Sequence, residues 1–423
     1  MLCRMTATPE NADNLQLRSA IDATPDIHVP AGFRFAATAG GIKPSGKPDC
    51  SIVAGRRDLT AAGVYTTNQV VAAAVHWCRD RTPASNVRAV ATVSGNANAC
   101  TGETGRRDNR QIAEIVAESI GCDPDQVLVM STGIIGRTLP MDKVHAGLQT
   151  AAAGLSADDA TSPAAAVAVA NAIRTTDDGP KYASRQIELS TGTTTITAMC
   201  KGAGMIAPNM ATLLAMAMTD APLRPTQCDE ILRRVADRSF NRITVDGHAS
   251  TNDTLLLLSS GATDGPLSAE DLQTFEHTLT ELSVELGKRI VADGEGASSY
   301  MALTVTGAAD DNDAETIARH TAQSLLVKTA ITGNDPNWGR IVSAAGAAGP
   351  PIDVHQTSLE ICGTRIYDRG TPVDFDEPEL SRSMAEKTEI PIHLTVGPGP
   401  GTAQIYASDL TTHYVTFNSE YTT

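Results

Sequence analysis

The 423-residue chain is poor in aromatic side chains: Phe, Tyr and Trp together make up 4% of it. Its core must therefore be built from Ala, Val, Ile, Leu and Thr, small and β-branched side chains that suit closely layered sheets and helices. It has no stripe of Lys or Arg interleaved with aromatics, and its formal charge is −16. This argues against a nucleic-acid partner. No apolar run approaches the ~18 residues that a membrane span needs. The eight cysteines include no C-x-x-C pair, and none stands with His at zinc spacing, so reduced, buried thiols in a cytoplasmic protein are expected and no metal is. Met1 to Ile21 lacks the apolar segment of a secretion signal and carries Glu10 and Asp13, unlike an acid-poor transit peptide. Residues 1–27 are polar and are expected to be flexible.

What the chain does have is a dense series of short apolar segments and glycine turns. Val70 to Val75, Val87 to Val93 and Val127 to Met130 read as strands. Asp108 can cap a helix carrying Ile112, Ile115, Val116 and Ile120. Gln186–Ser190 and Thr193–Met199 read as adjacent strands. A long amphipathic helix is expected from Ser268 to about Val291, and another from Ala314 to Lys328. The tail reads as strand-rich, including Thr402–Tyr406 and His413–Phe417. Irregular alternation of strands and helices favours a layered α/β or α+β fold over a regular doubly wound one.

One stretch carries chemistry: Lys201-Gly-Ala-Gly-Met-Ile-Ala-Pro-Asn-Met-Ala211-Thr212, followed by the apolar run Leu213 to Met218. Gly202, Gly204 and Pro208 shape a loop that meets a buried strand at Thr212. A threonine hydroxyl becomes a useful nucleophile when a base lies beside it, and the α-amine of an N-terminal threonine is such a base. Its pKa of roughly 7.7–8.0 leaves part of it unprotonated near neutrality. An internal Thr212 gains that amine only when the Ala211–Thr212 bond is cut. Attack of its own hydroxyl on the Ala211 carbonyl, then hydrolysis of the ester, would do this.

The other motifs fall into one order. Gly63-Val-Tyr-Thr-Thr-Asn68, Ser94-Gly-Asn-Ala-Asn-Ala-Cys-Thr-Gly102, Ser131-Thr-Gly-Ile-Ile-Gly136, Ser250-Thr-Asn-Asp-Thr254, Asp293-Gly-Glu-Gly-Ala297, Lys328-Thr-Ala, Asp335-Pro-Asn-Trp-Gly-Arg340 and Tyr421-Thr-Thr423, together with the Thr212 stretch, resemble segments of the ornithine acetyltransferases (glutamate N-acetyltransferases) from about residue 30 to the last residue. The resemblance implies a layered α-β-β-α type sandwich built from both halves of a cleaved chain. The halves would be an alpha chain, 28–211, and a beta chain, 212–423, associated as a heterotetramer or larger.

It also implies a reaction. Acetyl passes from N²-acetyl-L-ornithine to Thr212 and then to L-glutamate, in arginine biosynthesis, with no cofactor. Some members also use acetyl-CoA as a substrate to acetylate glutamate directly. Thr132 and Gly133 are implied as the oxyanion hole, read from the sequence as a turn after a strand. Lys201, Thr212, Glu295, Asn418, Thr423 and either Thr175 or Thr176 are implied as substrate contacts. Val93, His248 and Met216-Ala217-Met218 depart from the family pattern. His76, His248 and His413 are in no catalytic ordering. Asp253 and Asp335 read as structural, Trp338 as packing and Arg340 as half of an ion pair. Two other readings share parts of this pattern: a self-processed amidase or aminopeptidase in which water takes the acyl group, and a metabolite-binding protein that keeps one intact chain.

Overall fold

A computed structural model describes residues 26–207, 213–263 and 265–420. They fall into two compact units, one reaching Ile290 and one spanning Val291–Ser419. Residues 1–25 of the expected flexible segment lie outside the described residues, as do Ala211, Thr212 and Thr423; its last residue, Ile27, is buried.

The larger unit is built on one eight-stranded sheet. Its strands are β1 (Phe33–Thr38), β2 (Cys50–Tyr65), β3 (Ala84–Asn96), β4 (Val127–Ile134), β5 (Lys181–Leu189), β6 (Gly192–Lys201), β7 (Leu214–Thr219) and β9 (Thr254–Ser259); β8 (Ile243–Thr244) is a two-residue strand outside it. The order is β4-β3-β2-β9-β7-β6-β5, with β1 also on β2. The inner strands are buried on both faces, which explains their unbroken apolar runs. Along β4, Val127 and Val129 join one apolar cluster, with the helices Gly102–Ile120 and Met141–Gly154. Leu128 and Met130 join another, with Leu214, Met216 and Met218 of β7 and the helix Pro163–Ala172. This is the two-residue alternation of a strand. Two strands that follow the expected cut, β7 and β9, thus lie within the sheet begun by strands that precede it.

The smaller unit has its own sheet. β10 (Tyr300–Ala308), β11 (Ser358–Ile361), β12 (Thr364–Asp368), β13 (Thr371–Pro372), β14 (Glu389–Thr395) and β15 (Gly401–Ser408) run in the order β13-β12-β11-β14-β10-β15. One apolar cluster joins this sheet to the helices Asp311–Gln323, Leu325–Thr332, Trp338–Gly346 and Glu377–Ala385. The chain is therefore mixed α/β with two sheets and flanking helices, the expected class. Among the described residues no helix is long and apolar enough to cross a membrane, and no His, Cys, Asp or Glu cluster could hold a metal ion.

Several local expectations are corrected. The residues expected as a strand over Val70 to Val75 lead into a helix, Ala73–Arg79, which buries Val75 and Cys78 at i, i+3. The helix expected to start at Asp108 starts at Gly102. The single helix expected over Ala314–Lys328 is two, split at Ser324, whose hydroxyl caps the second. His413–Phe417 lies in a helix, Thr412–Glu420. Its alternating β-branched and aromatic residues mimic a strand, but the Thr411 hydroxyl accepts the Tyr414 N–H at 3.3 Å and starts a helical turn. Trp338 packs as expected, stacked on Tyr367 at 5.2 Å. Among the described residues Arg340 forms no ion pair; it donates to the Leu326 carbonyl at 3.0 Å.

Candidate active site

Strands β6 and β7 are antiparallel neighbours, and the last residue of one, Lys201, lies opposite the first of the other, Leu214. The two ends of the stretch between them therefore meet at one end of the ladder. Its first part is tied down by carboxylates. Gly202 N–H donates to Asp177 Oδ1 at 2.6 Å, while Met205 and Ile206 N–H donate to Asp246 at 2.6 and 2.9 Å. Its last described residue, Leu213, is held on both sides. Its N–H donates to Asp253 Oδ1 at 3.0 Å, and its carbonyl accepts from Thr254 N–H at 2.9 Å.

On the entry side a buried polar cluster surrounds Lys201, which is 3% exposed. Its ammonium donates to the Thr175 hydroxyl at 3.1 Å. Thr175 N–H in turn donates to Asp177 Oδ2 at 3.1 Å, and the Lys181 ammonium donates to Asp177 Oδ1 at 2.6 Å. Burial pushes the Asp177 carboxyl up, but the Lys181 and Lys201 ammoniums and the hydrogen bonds from Lys181 and Gly202 outweigh it, holding the carboxyl below its ordinary range. Of the two threonines left open by the sequence, Thr175 is the one brought to Lys201. A third lysine, Lys43, donates to the Pro48 and Ala172 carbonyls at 2.7 and 3.0 Å. Burial pulls its ammonium down to about 8, against the raising effect of Asp49.

Thr132 and Gly133 belong to the end of β4 itself, not to a turn after it. Gly133 sits opposite Gly95 of β3 with φ at 130°, and a Cβ built on it would lie 2.3 Å from the Gly95 carbonyl carbon. Only glycine fits that approach. Gly133→Ala is therefore expected to force β3 and β4 apart, which a lower melting temperature would record; if Gly133 N–H is the oxyanion donor that the resemblance implies, kcat should also fall by about 10²–10³, and a variant with wild-type kcat would remove Gly133 from the site.

Asn252 joins the end of β4 to the loop's exit. Its Nδ2 donates to the Ala97 and Ser131 carbonyls at 2.6 and 2.8 Å. Ser131 precedes Thr132, and Asp253, which follows Asn252, holds Leu213. Leu213 is thus two short contacts from the Thr132–Gly133 pair. The Lys201 charge acts on both Asp177 and Asp253, so these groups form one electrostatic neighbourhood.

A model of the ArgJ family matches residues 34–423. The chain belongs to the ArgJ family. It is 50% identical over 406 residues to the arginine biosynthesis bifunctional protein ArgJ of Rhodopirellula baltica, covering 95% of this chain and 98% of that one. The protein of the same description from Symbiobacterium thermophilum is 42% identical over 402 residues, covering 94% and 98%. Among solved structures, the arginine biosynthesis bifunctional protein ArgJ of Bacillus halodurans is 36% identical, covers 48% of this chain and 96% of that chain, and has a TM-score of 0.46. Ornithine acetyltransferase of Mycobacterium tuberculosis, complexed with ornithine, is 36% identical, covers 44% and 94%, and has a TM-score of 0.35.

Within this ArgJ chain the remaining expected site residues divide between the units. Glu295 and Asn418 belong to the smaller one, where Asn418 Nδ2 donates to Glu295 Oε2 at 3.0 Å. The Thr411 hydroxyl, by donating to the Gly296 carbonyl at 2.6 Å, ties the Glu295 loop to the start of the Asn418 helix. Sequence reading missed Lys43, Asp177, Asp246 and Asn252; Asp253, read as structural, anchors the Leu213 N–H. The signals available were Asp177 in Thr-Thr-Asp and the pair Asn252-Asp253 inside Ser250-Thr-Asn-Asp-Thr254. A groove of about 490 Å³ lined by Ala73, His76, Trp77 and Asn109 among others contains none of the site residues.

Proposed function

We propose that this ArgJ-family chain is a self-cleaving N-acyltransferase that moves acetyl from N²-acetyl-L-ornithine to L-glutamate in arginine biosynthesis. The observation that carries the reading is the double anchoring of Leu213, which fixes the residue after Thr212 beside the Asn252 link to Thr132 and Gly133. Thr212 Oγ attacks the Ala211 carbonyl; the C–N bond breaks as the ester forms, and water releases the Ala211 carboxylate. The freed α-amine of Thr212 is then the general base, a role worth roughly 10²–10⁴-fold.

In the transfer itself Thr212 Oγ attacks the acetyl carbonyl and its proton passes to the amine. Thr132 hydroxyl and Gly133 N–H donate to the oxyanion. The proton leaves with ornithine, and glutamate nitrogen takes the acetyl group from the ester by the same steps reversed. Lys201 and Thr175 offer donors to a substrate carboxylate. Glu295, with Asn418 against it, offers an acceptor to an ammonium group, and Thr176 and Thr423 complete the contacts that the family resemblance implies. The relatives' description as bifunctional supports a second activity; the family resemblance implies that it is acetylation of glutamate by acetyl-CoA, and no cofactor is expected. The two cleaved chains are expected to stay together as a heterotetramer or larger.

The purified protein incubated with acetylornithine, with and without glutamate, tests this. Ornithine and acetylglutamate are expected in equal amounts, and ornithine release only in step with glutamate consumption. Release that ignores glutamate would make the enzyme an amidase. Acetyl-CoA with glutamate alone assays the second activity.

A further inference from the structure

Glu295 stands in a loop, and a loop side chain recognises a substrate well only when the backbone beneath it is held still. The loop is a tight turn in which the Gly294 carbonyl accepts the Ala297 N–H at 2.8 Å. On one side it leans on the helix Thr412–Glu420. Gly296 has φ at 69°, and a Cβ built on it would lie 2.6 Å from the Tyr414 nitrogen. Only glycine allows that approach. This closeness lets Glu295 meet Asn418, but the turn and the first turn of the helix are both irregular at their junction. Something else must hold them in register.

That group is Asp409, buried where β15 gives way to the Asn418 helix. Its Oδ1 accepts the Ser298 N–H at 3.0 Å, and its Oδ2 accepts the Ser298 hydroxyl. Its own N–H donates to the Ser299 carbonyl at 3.0 Å. Three contacts thus bind the residues just after the Glu295 turn to a residue just before the Asn418 helix. The helix Leu325–Thr332 braces the junction. The Thr332 hydroxyl lies 3.2 Å from Asp409 Oδ2 and accepts the Leu410 N–H at 3.1 Å. Lys328, buried and four residues earlier on the same helix face, donates to the Ser408 carbonyl. The same helix puts Val327 and Ile331 into the apolar cluster of the smaller unit, so the brace is part of the core. All of these residues belong to that one unit.

We infer that Asp409 is the positioning residue for the Glu295–Asn418 pair: its carboxyl clamps Ser298 and Ser299 to the end of β15 and so fixes the turn that carries Glu295 against the helix that carries Asn418. The inference deepens the reading of Glu295 as the acceptor of a substrate ammonium group and rests on it. Buried, and with both oxygens engaged, Asp409 offers nothing to the substrate itself. It acts through the turn.

Rates of acetyl transfer over a range of acetylornithine concentrations, with melting curves, test this. Glu295→Gln sets the scale. Loss of a charged acceptor is expected to raise KM by about 10- to 10²-fold and leave kcat within about threefold, because the ammonium group is held alike in ground and transition states. Asp409→Ala is expected to raise KM by about tenfold or more, again with little change in kcat. Asp409→Asn keeps an acceptor for the Ser298 N–H and a polar partner for its hydroxyl, and is expected within about threefold of wild type. Added to Glu295→Gln, Asp409→Ala should raise KM by less than about threefold more, since both changes remove one contact. A residue that only stabilised the fold would give neither that rescue nor that saturation. Wild-type KM in Asp409→Ala, no rescue by Asn, or an effect that multiplies in full onto that of Glu295→Gln overturns the inference while leaving Glu295 in place. Should Asp409→Ala not fold, Ser298→Ala is read instead; it loses one hydroxyl contact, and its KM should rise about threefold or more, an unchanged KM overturning the inference. Wild-type KM in Glu295→Gln overturns the reading of Glu295 and this inference with it.

Discussion

Thr212→Ala is expected to remain one chain of 44.2 kDa and to lose acetyl transfer by about 10⁴-fold or more, as enzymes do when a covalent nucleophile is removed. Wild type is expected to give two pieces. Cutting 423 residues after residue 211 leaves 211 and 212, so the pieces nearly coincide on a gel, and intact mass with N-terminal sequencing is the proper readout. The argument for a complete loss is that one side chain serves twice. Without the hydroxyl there is no ester to hydrolyse, so the amine that would act as base is never freed. Thr212→Ser is the informative companion. It keeps a hydroxyl nucleophile and should cut and turn over, more slowly because serine lacks the methyl that restricts χ1. Normal processing of Thr212→Ala would exclude this residue as nucleophile.

Asp177→Ala is expected to have the largest effect on stability. The Asp177–Lys181 pair is buried on both sides, 0% and 1% exposed at the side chains. Removing one partner of such a pair costs about 3–5 kcal/mol, because the other charge stays buried and unpaired. The Gly202 and Thr175 N–H groups lose their acceptor as well. Denaturant unfolding measures the loss. Adding Lys181→Met removes the orphan ammonium and should restore part of the stability, yet leave the KM for acetylornithine raised, since the Thr175 segment is still unanchored. Full recovery of KM in the double variant would show that Asp177 has no part in arranging Thr175 and Lys201. The pH dependence has a fixed sign. The Asp177 carboxyl is held below its unfolded value of about 3.9, so its contribution is complete above about pH 4 and is lost as the pH falls further. The gap in melting temperature between wild type and Asp177→Ala should therefore narrow below that pH.

The parts of this site that were legible in the sequence are those whose chemistry is local. The apolar run from Leu213 reads as the buried strand it is, β7, whereas Thr132 and Gly133, read as a turn after Met130, prolong β4 to Ile134. Lys201 was identified through its place in a motif. What was not legible depends on pairs far apart in the chain. Asn252 finds Ala97 and Ser131 only when β9 and β4 have entered one sheet, and Asp177 finds Gly202 only when β6 has returned beside it. Nothing in the local spelling of Thr-Thr-Asp says which threonine faces the lysine. The tail misled for a different reason. His413 to Phe417 has the two-residue rhythm of a strand, and the hydroxyl that turns it into a helix belongs to Thr411, just outside the pattern. Arg340 misled because guanidinium groups often meet carboxylates, whereas here the helix Leu325–Thr332 presents the Leu326 carbonyl and the Thr329 hydroxyl to it.

The adjacency of β6 and β7 has a consequence for the life of the molecule. The strands flank the proposed cut and remain paired from Ile196 to Lys201 against Leu214 to Thr219. Before the cut, folding is a unimolecular event whose yield does not depend on concentration. Afterwards the same sheet is an interface between two polypeptides, and any excursion to the unfolded state separates partners that must meet again by diffusion. Apparent stability then becomes dependent on protein concentration. A matured sample denatured and diluted should recover poorly, whereas uncut Thr212→Ala should recover well at every dilution. Maturation would thus be a ratchet: the enzyme gains its catalytic base once and gives up the easy road back to its fold.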